Sequence, residues 1–224
     1  MILPKRDMKW PMTLTAARRF QEICRKRVKT SSLAREPEYV GGVDAAYSGN
    51  RVYAAACLYQ LPELKIVETS YAVMKTSFPY VSGYLFLREG PAIIAALQQL
   101  SRQPGLVLVD GQGIAHPRGI GSAANLGVLL DIPTIGCAKS KLVGAFEEPA
   151  MLRGSWSPLS YGGRVVGAVL RTKDHVKPLF ISAGHKINLE DSIRLTLACV
   201  SRYRKPDPLR CADMLSRKLK QVSP

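Results

Sequence analysis

Apolar residues first recur at helical spacing over residues 13 to 28. Phe20, Cys24 and Val28 make an i, i+4 row beside Ala16 and Ile23, and arginines and lysines cover the other face. The stretch SSLAREPE, 31 to 38, breaks that period. Residues 39 to 48, YVGGVDAAYS, read as a strand, and Gly49-Asn50 turns the chain into a second strand, RVYAAACLYQ. Leu61-Pro62-Glu63 makes another turn into KIVETSYAVMK. Three consecutive strands with short turns predict an antiparallel meander.

The pattern then changes. REGPAIIAALQQL, 88 to 100, reads as a helix with Pro91 in its first turn, where a missing N–H costs little. LVLVDG, 106 to 111, is a short apolar run ending in an acid, as expected of a strand buried on both faces. SAANLGVLLD, 122 to 131, reads as a helix and PTIGCAK, 133 to 139, as another buried strand. RVVGAVL and PLFISAG predict two further strands, and LEDSIRLTLACVSRY and LRCADMLSRKLK two helices, the first capped by Asn188. Strands alternating with helices after an antiparallel start predict an α/β fold, a mixed central sheet with helices on both faces. With no internal repeat or low-complexity linker, residues 1–224 are expected to form one domain.

Composition adds one strong signal. Thirty-two Lys and Arg against seventeen Asp and Glu leave a net charge of +15, concentrated in RRFQEICRKRVK and SRYRKPDPLRCADMLSRKLK near the two ends. Such an excess draws the chain to polyanions, most commonly nucleic acid. No apolar run reaches the roughly 18 to 20 residues of a membrane span, and the start, MILPKRDMKW, lacks the apolar stretch of a secretory leader. The five cysteines are scattered without a CxxC pair, and His116, His175 and His185 lack metal-ligand spacing with them. Neither a disulfide framework nor a zinc site is expected, and the compartment is read as cytoplasmic.

Two acids interrupt apolar strands. Asp44 follows Gly-Gly-Val, and Asp110 ends LVLVD. Alone, either aspartate is more often a turn or cap residue than a ligand. Together on neighbouring strands they make a natural hard-cation site, because a buried carboxylate is costly unless paired or bound to metal. Glu89 starts the helix of 88 to 100, where a favourable interaction with the macrodipole would also account for it.

The segment DGQGIAHPRGIG, 110 to 121, carries four glycines in a loop after a strand, so backbone can approach a ligand closely. Arg118 within it could contact a phosphate, and His116 could equally be a satisfied buried histidine. The segment is neither a P-loop nor a dinucleotide fingerprint. Lys139 ends its own strand as Asp110 does, so the two could face one cleft. In SFPYVSG, 77 to 83, Tyr80 sits between rigid turn residues, which suits stacking on bases as well as packing on its own domain.

In order, GVDAAY, PYVSGYLFLREGP, DGQGIAHPRGIGSAANLGVLLDIPTIGCAKSKL, GAVLRTKDHVKPLFISAGHKI and KPDPLRCAD resemble the motifs of the endonuclease V family over residues 39 to 215. The resemblance implies a ribonuclease H-like fold and Mg²⁺, replaceable by Mn²⁺, held by Asp44, Glu89 and Asp110. Asp213 matches the position of a fourth metal-site residue, His or Asp. Lys139 matches a lysine that acts on the scissile phosphate or the attacking water. Pro79, Tyr80, Val81 and Ser82 match a wedge that enters the helix beside the damaged base, with Ser82 where a second proline is usual. The base pocket implied is mainly backbone around Gly83, Leu85, Gly111, Gly113 and Leu142, with His116 nearby.

The activity implied is hydrolysis of the second phosphodiester 3′ to deoxyinosine, leaving 5′-phosphate and 3′-hydroxyl ends, by a monomer. Inosine-containing RNA is an alternative substrate. A non-catalytic nucleic-acid-binding module would not need the acids with Lys139, and a resolvase or transposase of the same fold would not account for the DGQGIAHPR loop.

Overall fold

The computed structural model describes residues 10–222; the charged start at 1–9, in which the absence of a leader was read, and residues 223–224 lie outside the described residues. Eight strands form one mixed sheet in the order β3-β2-β1-β4-β5-β8-β7-β6. The first three, β1 (Tyr39–Ser48), β2 (Arg51–Gln60) and β3 (Lys65–Lys75), are the antiparallel meander expected from the turns. β4 (Leu106–Val109) and β5 (Thr134–Ala138) then add in parallel to β1, and β8 (Leu179–His185), β7 (Arg164–Leu170) and β6 (Trp156–Tyr161) add in antiparallel.

Helices cover both faces. Val107 and Val109 turn to the side packed by α1 (Leu14–Arg27), α2 (Leu85–Gln98) and α3 (Ser122–Leu130), with Leu97 and Leu126 against them. Leu106 and Leu108 turn to the other side, where Leu195 of α4 (Leu189–Ala198) and Leu209 of α5 (Asp207–Val222) pack. Period-two alternation thus buries every residue of β4, which is why the strand is apolar throughout. Thr13 caps α1 and Asn188 caps α4 through their side chains.

Four local expectations need correction. Helix α2 begins at Leu85, so Pro91 is its seventh residue and removes the hydrogen bond that Leu87's carbonyl would receive. Glu89 is correspondingly in the helix interior and buried. Strand β6 was not foreseen, because Pro158 interrupts it; as the sheet's edge strand it can spare that N–H. Helix α4 stops at Ala198, well before the expected Tyr203, and α5 begins at Asp207, two residues before the expected Leu209. Among the described residues no helix is long and apolar enough to cross a membrane.

Candidate active site

Strand register brings the acids together. Val43 of β1 pairs with Val109 of β4 in parallel, so Asp44 and Asp110 are the next residues on adjacent strands. Val109 pairs in turn with Gly136 of β5, whose chain leads to Lys139; its ammonium lies 3.4 Å from Asp110 Oδ2. Asp213 comes from α5, which packs on β1 and β2. That packing requires Gly42, where a Cβ would stand 2.2 Å from the Pro208 carbonyl carbon.

Lys205, not foreseen as a site residue, holds these acids around one point. Its Nζ lies 2.6 Å from Asp110 Oδ2, 3.5 Å from Asp213 Oδ2 and 3.6 Å from Asp44 Oδ2. Burial works against the ammonium, but Asp110, Asp44 and Asp213 outweigh it and raise its pKa. The acids feel the opposite balance. Burial, reinforced by Asp110, pushes Asp44 up to about 7. Glu89 is pushed up to about 8, again by burial first and then by Asp44 and Asp110. Burial also acts to raise Asp213, yet Lys205, Lys139 and Arg217 hold it below the usual carboxylate range.

Do these residues suit a divalent ion? Four carboxylates are the oxygen donors that Mg²⁺ or Mn²⁺ prefers, and Lys205 shows that one cation can be shared by three of them. As they stand, however, no group of three acidic, His or Cys side chains among the described residues is close enough to coordinate a metal. The donor chemistry fits, with the ammonium seated among the donors.

Two cavities meet at this cluster. The first, about 370 Å³, is lined by Tyr80, Ser82, Gly83, Leu85, Gly111, His116 and Leu142 among others, and reaches Asp110 and Lys139. The second, about 710 Å³, is a polar groove along Asp44, Asp110, Lys139, Asp213, Arg217 and Lys220. Asp110 and Lys139 are the wall the two share. Gly113 does not line the first cavity: its N–H donates to Ser182 Oγ at 2.8 Å, and a Cβ there would meet the Ala183 carbonyl at 2.1 Å.

The cavity wall holds two further amides that the sequence did not single out. Gln112 donates through Nε2 to the Ser140 carbonyl, and Asn125 through Nδ2 to the Gly121 carbonyl. Their carbonyl oxygens, Gln112 Oε1 and Asn125 Oδ1, are buried without a hydrogen-bond partner among the described residues. Buried acceptors left so cost about 1–3 kcal/mol each, and a ligand N–H would satisfy them.

The turn before α2 is built with the same care. Tyr84 N–H donates to the Val81 carbonyl, with Gly83 at φ 79°, the geometry of a type II turn that favours glycine. The Gly83 carbonyl receives Arg118 Nη2 at 2.6 Å and His116 Nε2 at 3.1 Å. His116 Nδ1 accepts from the Arg118 N–H, so the proton sits on Nε2, and burial followed by Arg118 lowers the ring to about 4. The ring is neutral at pH 7. Arg118 also donates to Gln21 and stacks 4.0 Å from the Tyr84 ring. Its guanidinium is therefore occupied in bracing the turn, and a phosphate would have to share it.

Tyr80 projects from this turn, 62% exposed, with the Tyr47 ring 6.4 Å away. Buried Arg88, also unforeseen, ties the region down by donating to the carbonyls of Phe78 and Gly49 while stacking on Tyr47.

Residues 22–214 match the family model described as endonuclease V. Similar curated proteins include endonuclease V of Nostoc punctiforme, 48% identical over 94% of this chain and 97% of its own length, and that of Roseiflexus sp., 46% identical over 94% and 95%. Among solved structures, endonuclease V from Streptomyces avermitilis superposes with a TM-score of 0.91 at 42% identity over 95% of both chains. Endonuclease V from Ciona intestinalis, crystallised with a 24mer DNA containing an inosine followed by a ribo-adenosine, gives 0.81 at 28% identity over 94% of this chain and 99% of that one.

Proposed function

The chain belongs to the endonuclease V family, and we propose that it is a metal-dependent deoxyribonuclease of DNA repair, which flips deoxyinosine into the first cavity and hydrolyses the second phosphodiester 3′ to it. The observation that carries this reading is that Asp110 and Lys139 line both cavities, one holding the amides of Gln112 and Asn125 and the other running along Asp44, Asp213, Arg217 and Lys220. A base held on one side of that wall and the scissile phosphate on the other would offset recognition from cleavage.

Each element has a task the physics allows. Tyr80, exposed on a braced turn, stacks into the gap left by the flipped base. Hypoxanthine differs from adenine in presenting an N1–H donor and an O6 acceptor. The orphan oxygens of Gln112 and Asn125 call for such a donor, and backbone near Gly83, Leu85 and Gly111 reads the rest of that edge. Arg217 and Lys220 line the groove where the phosphates would run.

Asp44, Glu89 and Asp110 would hold Mg²⁺, or Mn²⁺ in its place, with Asp213 as the fourth member of the set. The ion would supply a water of lowered pKa and neutralise charge developing on the phosphoryl oxygens. Lys139, half exposed beside Asp110, orients the scissile phosphate by donating to its oxygen. Water adds to phosphorus, the P–O3′ bond breaks and the proton passes to the 3′ oxygen, leaving 5′-phosphate and 3′-hydroxyl ends. The five free thiols suit the reducing cytoplasm.

The test is Mg²⁺-dependent nicking of a duplex carrying one inosine, with the cut mapped, beside matched inosine RNA. A nick one nucleotide beyond the lesion's own 3′ bond is expected. Release of free hypoxanthine without strand cleavage would overturn the reading, and preferential cutting of the RNA would move the substrate to inosine-containing transcripts.

A further inference from the structure

Lys205 is positioned too firmly to be an incidental surface charge. The loop that carries it is tied at both sides: the Arg204 carbonyl accepts from Thr172 Oγ1 at 2.8 Å, and the Asp207 N–H donates to the Cys199 carbonyl at 2.8 Å. Pro206 follows Lys205 directly and Pro208 follows Asp207, and both restrict the backbone further. Pro208 is pressed onto Gly42 of β1, two residues from Asp44. The Lys205 side chain is only 12% exposed, and its three ion-pair partners come from β1, the residue just after β4, and α5.

We propose that Lys205 is a built-in counter-cation of the carboxylate site, which competes with the divalent ion and sets the affinity with which this chain takes it up. This rests on the metal reading above. A divalent ion bonds to carboxylate oxygens at about 2.0–2.6 Å. Placed among the oxygens that now surround Nζ, it would nearly coincide with the ammonium, and two cations cannot share that point. Loading therefore requires the flexible lysine stem to carry the ammonium out of the cluster. Between loadings the same ammonium keeps Asp44, Asp110 and Asp213 from repelling one another.

Two consequences separate this role from a passive salt bridge. Removing the charge should tighten metal binding while weakening the metal-free fold, an opposition that simple structural damage does not produce. The experiment measures Mn²⁺ binding by calorimetry and thermal unfolding with and without Mn²⁺, for the wild type, Lys205→Met, Lys205→Gln and Asp110→Asn. Both neutral variants should bind Mn²⁺ about tenfold or more tightly, melt lower in EDTA, and gain more on adding Mn²⁺ than the wild type does. Lys205→Gln keeps a polar, uncharged head on a slightly shorter stem, so it carries the comparison if the methionine variant folds poorly.

Unchanged or weaker Mn²⁺ binding by the folded neutral variants, with binding still lost in Asp110→Asn, would overturn the competition and leave the metal reading standing. Failure of wild type and neutral variants alike to bind Mn²⁺ would overturn both. Binding by a neutral variant alone supports the competition in its strongest form.

Discussion

Asp110 and Lys139 stand 3.4 Å apart at the ends of adjacent parallel strands, and both line the 370 Å³ cavity and the adjoining 710 Å³ groove. That pairing makes them the sites where chemistry should separate from binding. Asp110→Ala is expected to abolish cleavage in Mg²⁺, and Lys139→Met to slow single-turnover cleavage by about 100-fold or more. Affinity for inosine DNA should change by no more than about threefold in either. Binding isotherms beside quenched-flow rates check this, and normal turnover by Asp110→Ala would remove it from the metal site.

Tyr80 is 62% exposed on the turn before α2. Tyr80→Ala should weaken binding to inosine in a duplex by about 5- to 100-fold, the value of one stacked aromatic. Binding to the same lesion in a single strand should suffer much less, because no gap needs filling there. Equal losses in the two would argue against a wedge.

Gln112 lines the 370 Å³ cavity, and its Oε1 is buried with no hydrogen-bond partner among the described residues. Gln112→Leu should lower the preference for inosine over adenosine in single-stranded oligonucleotides by about 5- to 100-fold, corresponding to one buried hydrogen bond of about 1–3 kcal/mol. Competition binding of the two oligonucleotides reports the ratio. An unchanged ratio would leave discrimination to the backbone alone.

Glu89 gives the fold a pH signature. Its carboxyl is held near 8 by burial and by Asp44 and Asp110, against an ordinary 4.5. Between those values the folded chain binds more protons than the unfolded one, so this group's contribution to stability falls as pH rises. In EDTA, Glu89→Gln should gain on the wild type from pH 5 to pH 8, by on the order of 1–3 kcal/mol. Urea titrations at the two pH values check the sign, and parallel curves would contradict it.

Arg88 ties the segment before α2 to the β1–β2 turn by donating to the carbonyls of Phe78 and Gly49. Arg88→Met leaves two carbonyls without a charged donor and should cost about 2–4 kcal/mol of stability. Unfolding midpoints check this, and a loss below about 0.5 kcal/mol, as at ordinary surface sites, would deny the residue that role.

Much of this fold was legible along the chain, because its signals act over a few residues. Alternation and Gly49-Asn50 specified the meander, and the apolar run of β4 specified a strand buried on both faces. Asn188 announced a cap that forms. Asp44 and Asp110 stood out because an acid in an apolar strand needs a reason. The edge strand β6 was less legible, since Pro158 disguises it, and Pro91 drew the expected start of α2 to the wrong turn.

What only the tertiary structure decided concerns residues that meet through space. Lys205 lies 95 positions from Asp110, and no spacing rule connects them. Their pairing follows from α5 closing on β1 over the bare backbone of Gly42. Gln112 and Asn125 became notable only when burial removed water from their carbonyl oxygens. Gly113 left the cavity wall because Ser182 took its N–H. Propensity and periodicity are local and can be read from neighbours in sequence. Desolvation and Coulomb interaction depend on distance in space, so the charges and orphaned atoms of the site acquire their meaning only once the sheet has closed.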